Sequence, residues 1–315
     1  MLNSIIACIF ARITNRMSIM YMKRILSIFC LALGVLLVGC STVALTGRKQ
    51  LLLISDAEVM SLSNQSYAEY MSTAQRSTHS SNVALVQTVG SRIVGAVQAY
   101  FKANGMESAL QGYSWEINLV QDPSANAFCM PGGKIVVYEG ILPYTRDAAG
   151  LAIVLGHEVA HAVANHAQER MSQQMLLSLG GTALSVAMVN KSSTVQMISS
   201  QVFGLGSTVA LTLPFSRKNE TEADEMGLIF AAMAGYDPNA AVDFWQRMSA
   251  TSGGTPEFLS THPSHSTRIK NLQKFMPEAL KYYQGQGGTS QTQGASQQQG
   301  GSSTRVFTPS ERTRQ

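Results

Sequence analysis

Cysteine is scarce in this chain, with four among 315 residues, and Cys8, Cys30 and Cys40 all precede the body. Cys129 is the sole thiol left, which excludes an internal disulfide and any fold stapled by several. No Cys-His pattern surrounds Cys129, so it reads as a small buried or half-buried side chain rather than a nucleophile. Charge is thin as well. Residues 1–39 hold Arg12, Arg16, Lys23 and Arg24 and no acid, and without them 19 basic residues face 19 acidic ones. A neutral body has no surplus of Lys and Arg for phosphates, which argues against nucleic acid as a partner. The body also lacks a long hydrophobic span and any internal repeat.

Histidine is rare, with six in the chain, and two of them stand in His157-Glu158-Val159-Ala160-His161, inside the apolar run Leu151 to Ala164. On a helix, residues four apart lie on one face, one turn above the other. Both imidazoles can then reach one zinc ion, and Glu158 can hold and deprotonate a water there. A catalytic zinc needs a third protein ligand and one open position. The acid-rich stretch Phe215 to Gly227 offers it, running into the apolar helical segment Leu228 to Ala234 that Gly235 terminates. Glu220 and Asp224 share a helix face; Glu220 completes a His-His-Glu set, and Asp224 accepts a hydrogen bond from a ligand histidine. Glu222 and Glu225 read as a solvated face. His166 lies about 140° of helix rotation from His161 and reads as structural, His265 as surface. Arg217 either pairs with an acid or positions substrate.

These residues resemble the His-Glu-x-x-His and Glu-x-x-Ala-Asp helices of the zinc metallopeptidases that include HtpX and the CAAX prenyl proteases. Asn126-Ala127-Phe128 with Pro131 to Tyr138 resembles the family's edge-strand segment, and Thr261-His262-Pro263 ahead of Arg268-Ile269 its late active-site loop. The likeness covers residues 45–275. It implies an α+β, mainly helical zincin-like domain whose small sheet presents an edge strand to the cleft. It implies one Zn2+ per chain held by His157, His161 and Glu220, with Glu158, Asp224, His262 and Asn126 as further catalytic residues. Asn126 would bond the substrate backbone. His262 would act either as an oxyanion donor or as a fourth ligand blocking the open position. The soluble, lipid-anchored BepA-like and LoiP-like bacterial members look most similar.

The first 39 residues read as an export signal: Lys23-Arg24, an apolar core from Ile25 to Val38, and Leu37-Val38-Gly39-Cys40 resembling a lipobox with Cys40 acylated. Translation from Met22 and an uncleaved anchor are the alternatives. Residues 40–55 then form a tether, 56–283 the peptidase domain and 284–315 a Gln/Gly/Ser-rich disordered tail. Within the domain, helices are expected over 57–73, 82–103 and 146–171, the last two capped by Ser81 and Thr145. Strands are expected over 115–120 and 134–138, with a turn at Pro131-Gly132-Gly133. Residues 172–213 read as helices near the cleft or a lid, and 238–283 as helical. The expected function is a zinc endopeptidase in the bacterial envelope, on the periplasmic face of the outer membrane, hydrolysing misfolded or misassembled envelope proteins. The other reading is a chaperone-like factor with little proteolysis, partnered with outer-membrane assembly machinery.

Overall fold

The computed structural model describes residues 22, 40–180, 191–203, 215–250, 256–262 and 267–283. The leader, the tail, the stretches 181–190 and 204–214, the loop 252–254 and His265 lie outside the described residues, as does the side chain of Cys40.

The described chain is mainly helical with two small sheets, the α+β class expected. A hairpin of β1 (Cys40–Thr42) and β2 (Lys49–Leu51) leads into α1 (Asp56–Thr73) and α2 (Ser80–Ala103). A three-stranded sheet follows, from β3 (Glu116–Val120), β4 (Ala127–Met130) and β5 (Lys134–Tyr138). The helical turn α3 (Leu142–Thr145), α4 (Ala148–Val163), α5 (His166–Gly180) and α6 (Lys191–Phe203) come next. Then come α7 (Arg217–Met233), α8 (Ala240–Ser249), α9 (Glu257–Thr261) and α10 (Arg268–Ala279).

The sheet order is β3-β5-β4, with β5 parallel to β3 and antiparallel to β4. β4 and β3 are therefore the two edge strands, and β4 is the one that packs against α4. Gly132 and Gly133 turn the chain from β4 to β5 at φ of 88° and 86°, a region that side-chain-bearing residues enter only at a cost. All five residues of β5 are buried, as a central strand covered on both faces requires. Ile135 and Val137 face one core with α2, α4 and α7; Val136 and Tyr138 face a second with α1, α5 and α6. Val86, Val89, Ile93 and Val97 on α2 are fully buried, so the three- and four-residue spacing is the core face. Each contributes roughly 1.5–3 kcal/mol of burial.

Two expectations are corrected. The active-site helix does not run unbroken to Met171, nor does Thr145 cap it. Asp147 accepts from the Gly150 N–H as its cap, while the Thr145 hydroxyl donates to the Leu142 carbonyl. Helix α4 ends at Ala164, and Asn165 takes a left-handed φ of 58°, which Asn tolerates better than most residues. The second correction concerns α2, which begins at Ser80 with His79, not Ser81, in the cap position. Residues 40–55 pack on the domain: Val43, Leu45 and Ile54 are buried, and the Leu53 N–H donates to Ser172. Helix α6 packs on α1 and α5, with Val195, Ile198 and Val202 in the second core. Among the described residues, no helix is long and apolar enough to cross a membrane.

Candidate metal centre

Helix α4 is apolar on every side and buried from Gly150 to Val163, so its polar side chains must find partners inside the protein. They find them on α7, which crosses it. Ser216 caps α7 by accepting from the Asn219 N–H, and Gly235, at φ 79°, closes the segment after Ala234. His157 and His161 share a face, as their spacing requires, and Glu220 and Asp224 meet them from α7.

His157, His161, Glu220 and His262, all buried, each direct one ligand atom at a common point, the four atoms lying within 4.8 Å of one another. His157 Nε2 is 3.1 Å from His161 Nε2, 3.2 Å from His262 Nδ1 and 3.5 Å from Glu220 Oε2. Glu220 Oε1 is 3.4 Å from His161 Nε2 and 3.0 Å from His262 Nδ1. A tetrahedral zinc with bonds of 2.0–2.1 Å has donor–donor edges of about 3.3 Å, so these residues fit the ion. Charge agrees. Glu220 and Asp224, both buried, share the guanidinium of Arg268, and a divalent cation would bring further positive charge beside Glu220.

Around the donors sits a ring of supporting contacts. His157 Nδ1–H donates to Asp224 Oδ1 at 3.0 Å, the partnership expected of Asp224, and fixes which ring nitrogen faces the ion. Arg268 donates to Asp224 Oδ1 at 2.6 Å and Glu220 Oε2 at 3.2 Å, its guanidinium 3.3 Å over the Trp245 ring. Phe215 lies 4.1 Å from the His161 ring and Phe258 lies 4.7 Å from that of His262, walling the centre against water.

Burial pulls the His157 pKa down, but Asp224 and Glu220 outweigh it and leave it raised. Burial carries His161 well below the ordinary range. For Glu220, burial is outweighed by His262, His157 and His161, which hold the carboxyl well below its usual value. Glu158 behaves oppositely. Burial pushes it up to about 7, against opposing pulls from His262, Arg268 and a hydrogen bond from the Cys129 backbone. Its Oε1 accepts no hydrogen bond among the described residues and lies 3.4 Å from His262 Nε2.

Asn126 is 6% exposed. Its amide donates to Glu257 at 3.0 Å, and its oxygen accepts from the Ala127 N–H. As placed, it orders the start of β4 rather than presenting a free amide. Cys129 is half-buried on β4, and burial lifts its thiol well above the usual range, the reverse of an activated nucleophile. Arg217 is exposed.

Two readings fail. Glu222 and Glu225 are 5% and 6% exposed, not a solvated face, because the N-terminal hairpin and α5 cover that side of α7. His166 does not point away from the site. The break at Asn165 swings it back, so that His166 Nδ1 lies 2.9 Å from His161 Nδ1 and Nε2 lies 3.0 Å from Glu222 Oε2. The sequence also left Arg268 without a role, though its place beside the His262 segment was the available signal.

A two-histidine helix, a carboxylate helix crossing it and an edge strand beside the cleft define a zinc metallopeptidase domain. The family profile for peptidase family M48 matches residues 87–276, and the chain belongs to that family. It is 41% identical over 175 residues to the mitochondrial metalloendopeptidase OMA1 of Schizosaccharomyces pombe, covering 55% of this chain and 50% of that one. It is 31% identical over 244 residues to the human mitochondrial metalloendopeptidase OMA1, covering 75% and 46%. A β-barrel assembly-enhancing protease of Yersinia pestis is 30% identical over 195 residues, covering 59% and 37%. The chain thus spans about half the length of the curated relatives it matches.

These relatives correct two expectations. Similarity to the bacterial β-barrel assembly-enhancing proteases is real but weaker than similarity to OMA1. The bacterial-envelope location is overturned by relatives that are mitochondrial. The composition that suggests it does not discriminate: a basic, acid-free stretch such as residues 1–39 is also the composition of mitochondrial transit segments.

Proposed function

We propose that this protein is a zinc-dependent endopeptidase acting on extended segments of unfolded or misassembled proteins, in a state held closed by His262. The observation that carries the proposal is the convergence of His157, His161, Glu220 and Glu158 beside the edge strand β4. When bound, zinc supplies the Lewis acidity that activates water and polarises a peptide carbonyl. His157, His161 and Glu220 would hold it, with Asp224 fixing the His157 ring. Glu158, uncharged-to-charged near neutrality, takes a proton from the water that attacks the carbonyl carbon. As the C–N bond breaks, Glu158 returns that proton to the leaving amine. Strand β4, at an edge of the sheet, would take an extended peptide once the Ala127 and Cys129 N–H groups leave Asn126 and Glu158, a mode that recognises backbone and is tolerant of side chains.

His262 stands in the fourth donor position, 3.0 Å from Glu220 Oε1 and 3.2 Å from His157 Nε2. Of its two expected roles this geometry favours the blocking ligand, and the loop must withdraw before substrate enters. The same observation favours the second reading, a chaperone-like factor that cleaves rarely. One experiment separates the two. The full chain and Glu158→Gln are incubated with zinc and an unfolded protein, and each is returned to cells lacking the gene. Internal cleavage reduced at least about 100-fold in the variant, with loss of the cellular effect, supports the endopeptidase. A cellular effect preserved in Glu158→Gln sinks it.

A further inference from the structure

We propose that Arg48, on the N-terminal hairpin, is a positioning residue for the zinc centre, fixing the ring of His161 through Glu222 and His166. The proposal rests on the reading of His161 as a zinc ligand. With Nε2 turned to the donor cluster, the proton of His161 sits on Nδ1 and is donated to His166 Nδ1 at 2.9 Å. His166 must then carry its own proton on Nε2, which it donates to Glu222 Oε2 at 3.0 Å. The same Oε2 accepts from Arg48 Nε, and Oε1 accepts from the Thr46 hydroxyl. The two rings donate toward Glu222 from one side, and Arg48 and Thr46 donate to it from the other, so a single tautomer of each ring satisfies the line.

Arg48 is itself immobilised. Its two terminal nitrogens donate to the two oxygens of Glu169, each at 2.8 Å, a forked pairing that sets the plane of the guanidinium. Glu169 also accepts from the Asn219 amide at 2.8 Å. Val43 and Leu45, in the same hairpin, are buried in the main core. The hairpin therefore clamps α5 to α7, and the clamp ends on a ring that faces the metal. His157 is oriented within the α4–α7 pair by Asp224, whereas His161 is oriented from outside it, by the N-terminal arm.

Groups that orient a ligand histidine change metal affinity by roughly 10–100-fold when lost. The test measures zinc dissociation constants by competition with a chromophoric chelator, and the visible spectrum of the Co2+-substituted protein. It compares the full chain with Arg48→Met, Arg48→Lys, His166→Leu, and both Arg48 changes in the His166→Leu background. Melting of the metal-free forms is followed in parallel. Arg48→Met is expected to weaken zinc at least about 10-fold and to shift the Co2+ bands, with Lys recovering part of the loss. Neither Arg48 change should cost further affinity once His166 is Leu. Unchanged affinity in Arg48→Met, or the same loss with and without His166, overturns the proposal and leaves Arg48 a packing residue. Should Arg48→Met not fold, Arg48→Lys against His166→Leu carries the same comparison. His161→Ala is the control: if it binds zinc as the parent does, the ligand assignment falls, and the proposal with it.

Discussion

Gly156 on α4 and Gly227 on α7 face each other where the two helices cross. A Cβ built on Gly156 would sit 2.7 Å from the Gly227 carbonyl oxygen, and one on Gly227 would sit 2.7 Å from the His157 nitrogen. Both clashes are with backbone, which no rotamer change relieves. This contact brings Glu220 and Asp224 within reach of His157. Exchanging Gly for Ala in an ordinary helix interior gains about 1 kcal/mol, whereas here overpacking should cost roughly 1–3 kcal/mol. Gly227→Ala is therefore expected to lower stability in urea and to weaken zinc binding. A stabilised variant with unchanged zinc affinity would refute the close crossing as the device that sets the site.

The raised carboxyl of Glu158 makes a prediction about pH. The folded protein keeps this proton up to about 7, while the unfolded chain releases it near 4.5. Between those values the folded state binds the extra proton, so this group's contribution to stability falls as pH rises. The span corresponds to about 3 kcal/mol. Glu158→Gln cannot ionise and escapes that loss. In metal-free protein, the stability of Glu158→Gln minus that of the parent should grow by about 3 kcal/mol from pH 4 to pH 8. Denaturant titrations at several pH values measure this difference, in which the groups not coupled to Glu158 cancel. A difference that stays flat with pH would mean Glu158 is solvated or already paired.

Withdrawal of His262 should have opposite consequences for binding and turnover. His262→Ala removes one of four donor atoms, so zinc should bind more weakly. It also frees the fourth position and takes away the ring 3.4 Å from Glu158 Oε1. Cleavage of an unfolded protein at saturating zinc is expected to rise several-fold. A fall in kcat instead would assign His262 to stabilising the oxyanion, the other role its position in the sequence allowed.

Much of the site could be read from the chain because it obeys helical geometry. His157 with His161, and Glu220 with Asp224, are each one turn apart, and local periodicity alone puts each pair on a face. The strands Glu116–Val120 and Lys134–Tyr138 and the Pro131-Gly132-Gly133 turn were legible for the same local reasons. What was not legible depended on contacts between distant segments. Arg48 and Glu222 are 174 residues apart, and Arg268 and Glu220 are 48 apart. No period connects them. The contact of His166 with His161 was not legible, because a helix continued through Asn165 would carry it off the ligand face. A left-handed Asn between Ala164 and His166 gives little warning of a break.

Arg268 offers the sharpest test of the charge arrangement. It is 1% exposed and donates to both Glu220 and Asp224, so in metal-free protein it is a guanidinium shared by two buried carboxylates. Removing one member of such a group leaves uncompensated charge and costs roughly 3–5 kcal/mol. Zinc at the donor cluster would supply the missing positive charge beside Glu220. Arg268→Met should therefore destabilise the metal-free protein by about that amount and the zinc-loaded protein by clearly less. The stem of Met keeps much of the contact with Trp245, so lost packing does not dominate. Thermal unfolding of both proteins, with zinc and with chelator, measures the four quantities needed. An equal loss with and without zinc would show that Arg268 and the metal do not share the charge of Glu220. The four-residue donor cluster would then have to be redrawn without it.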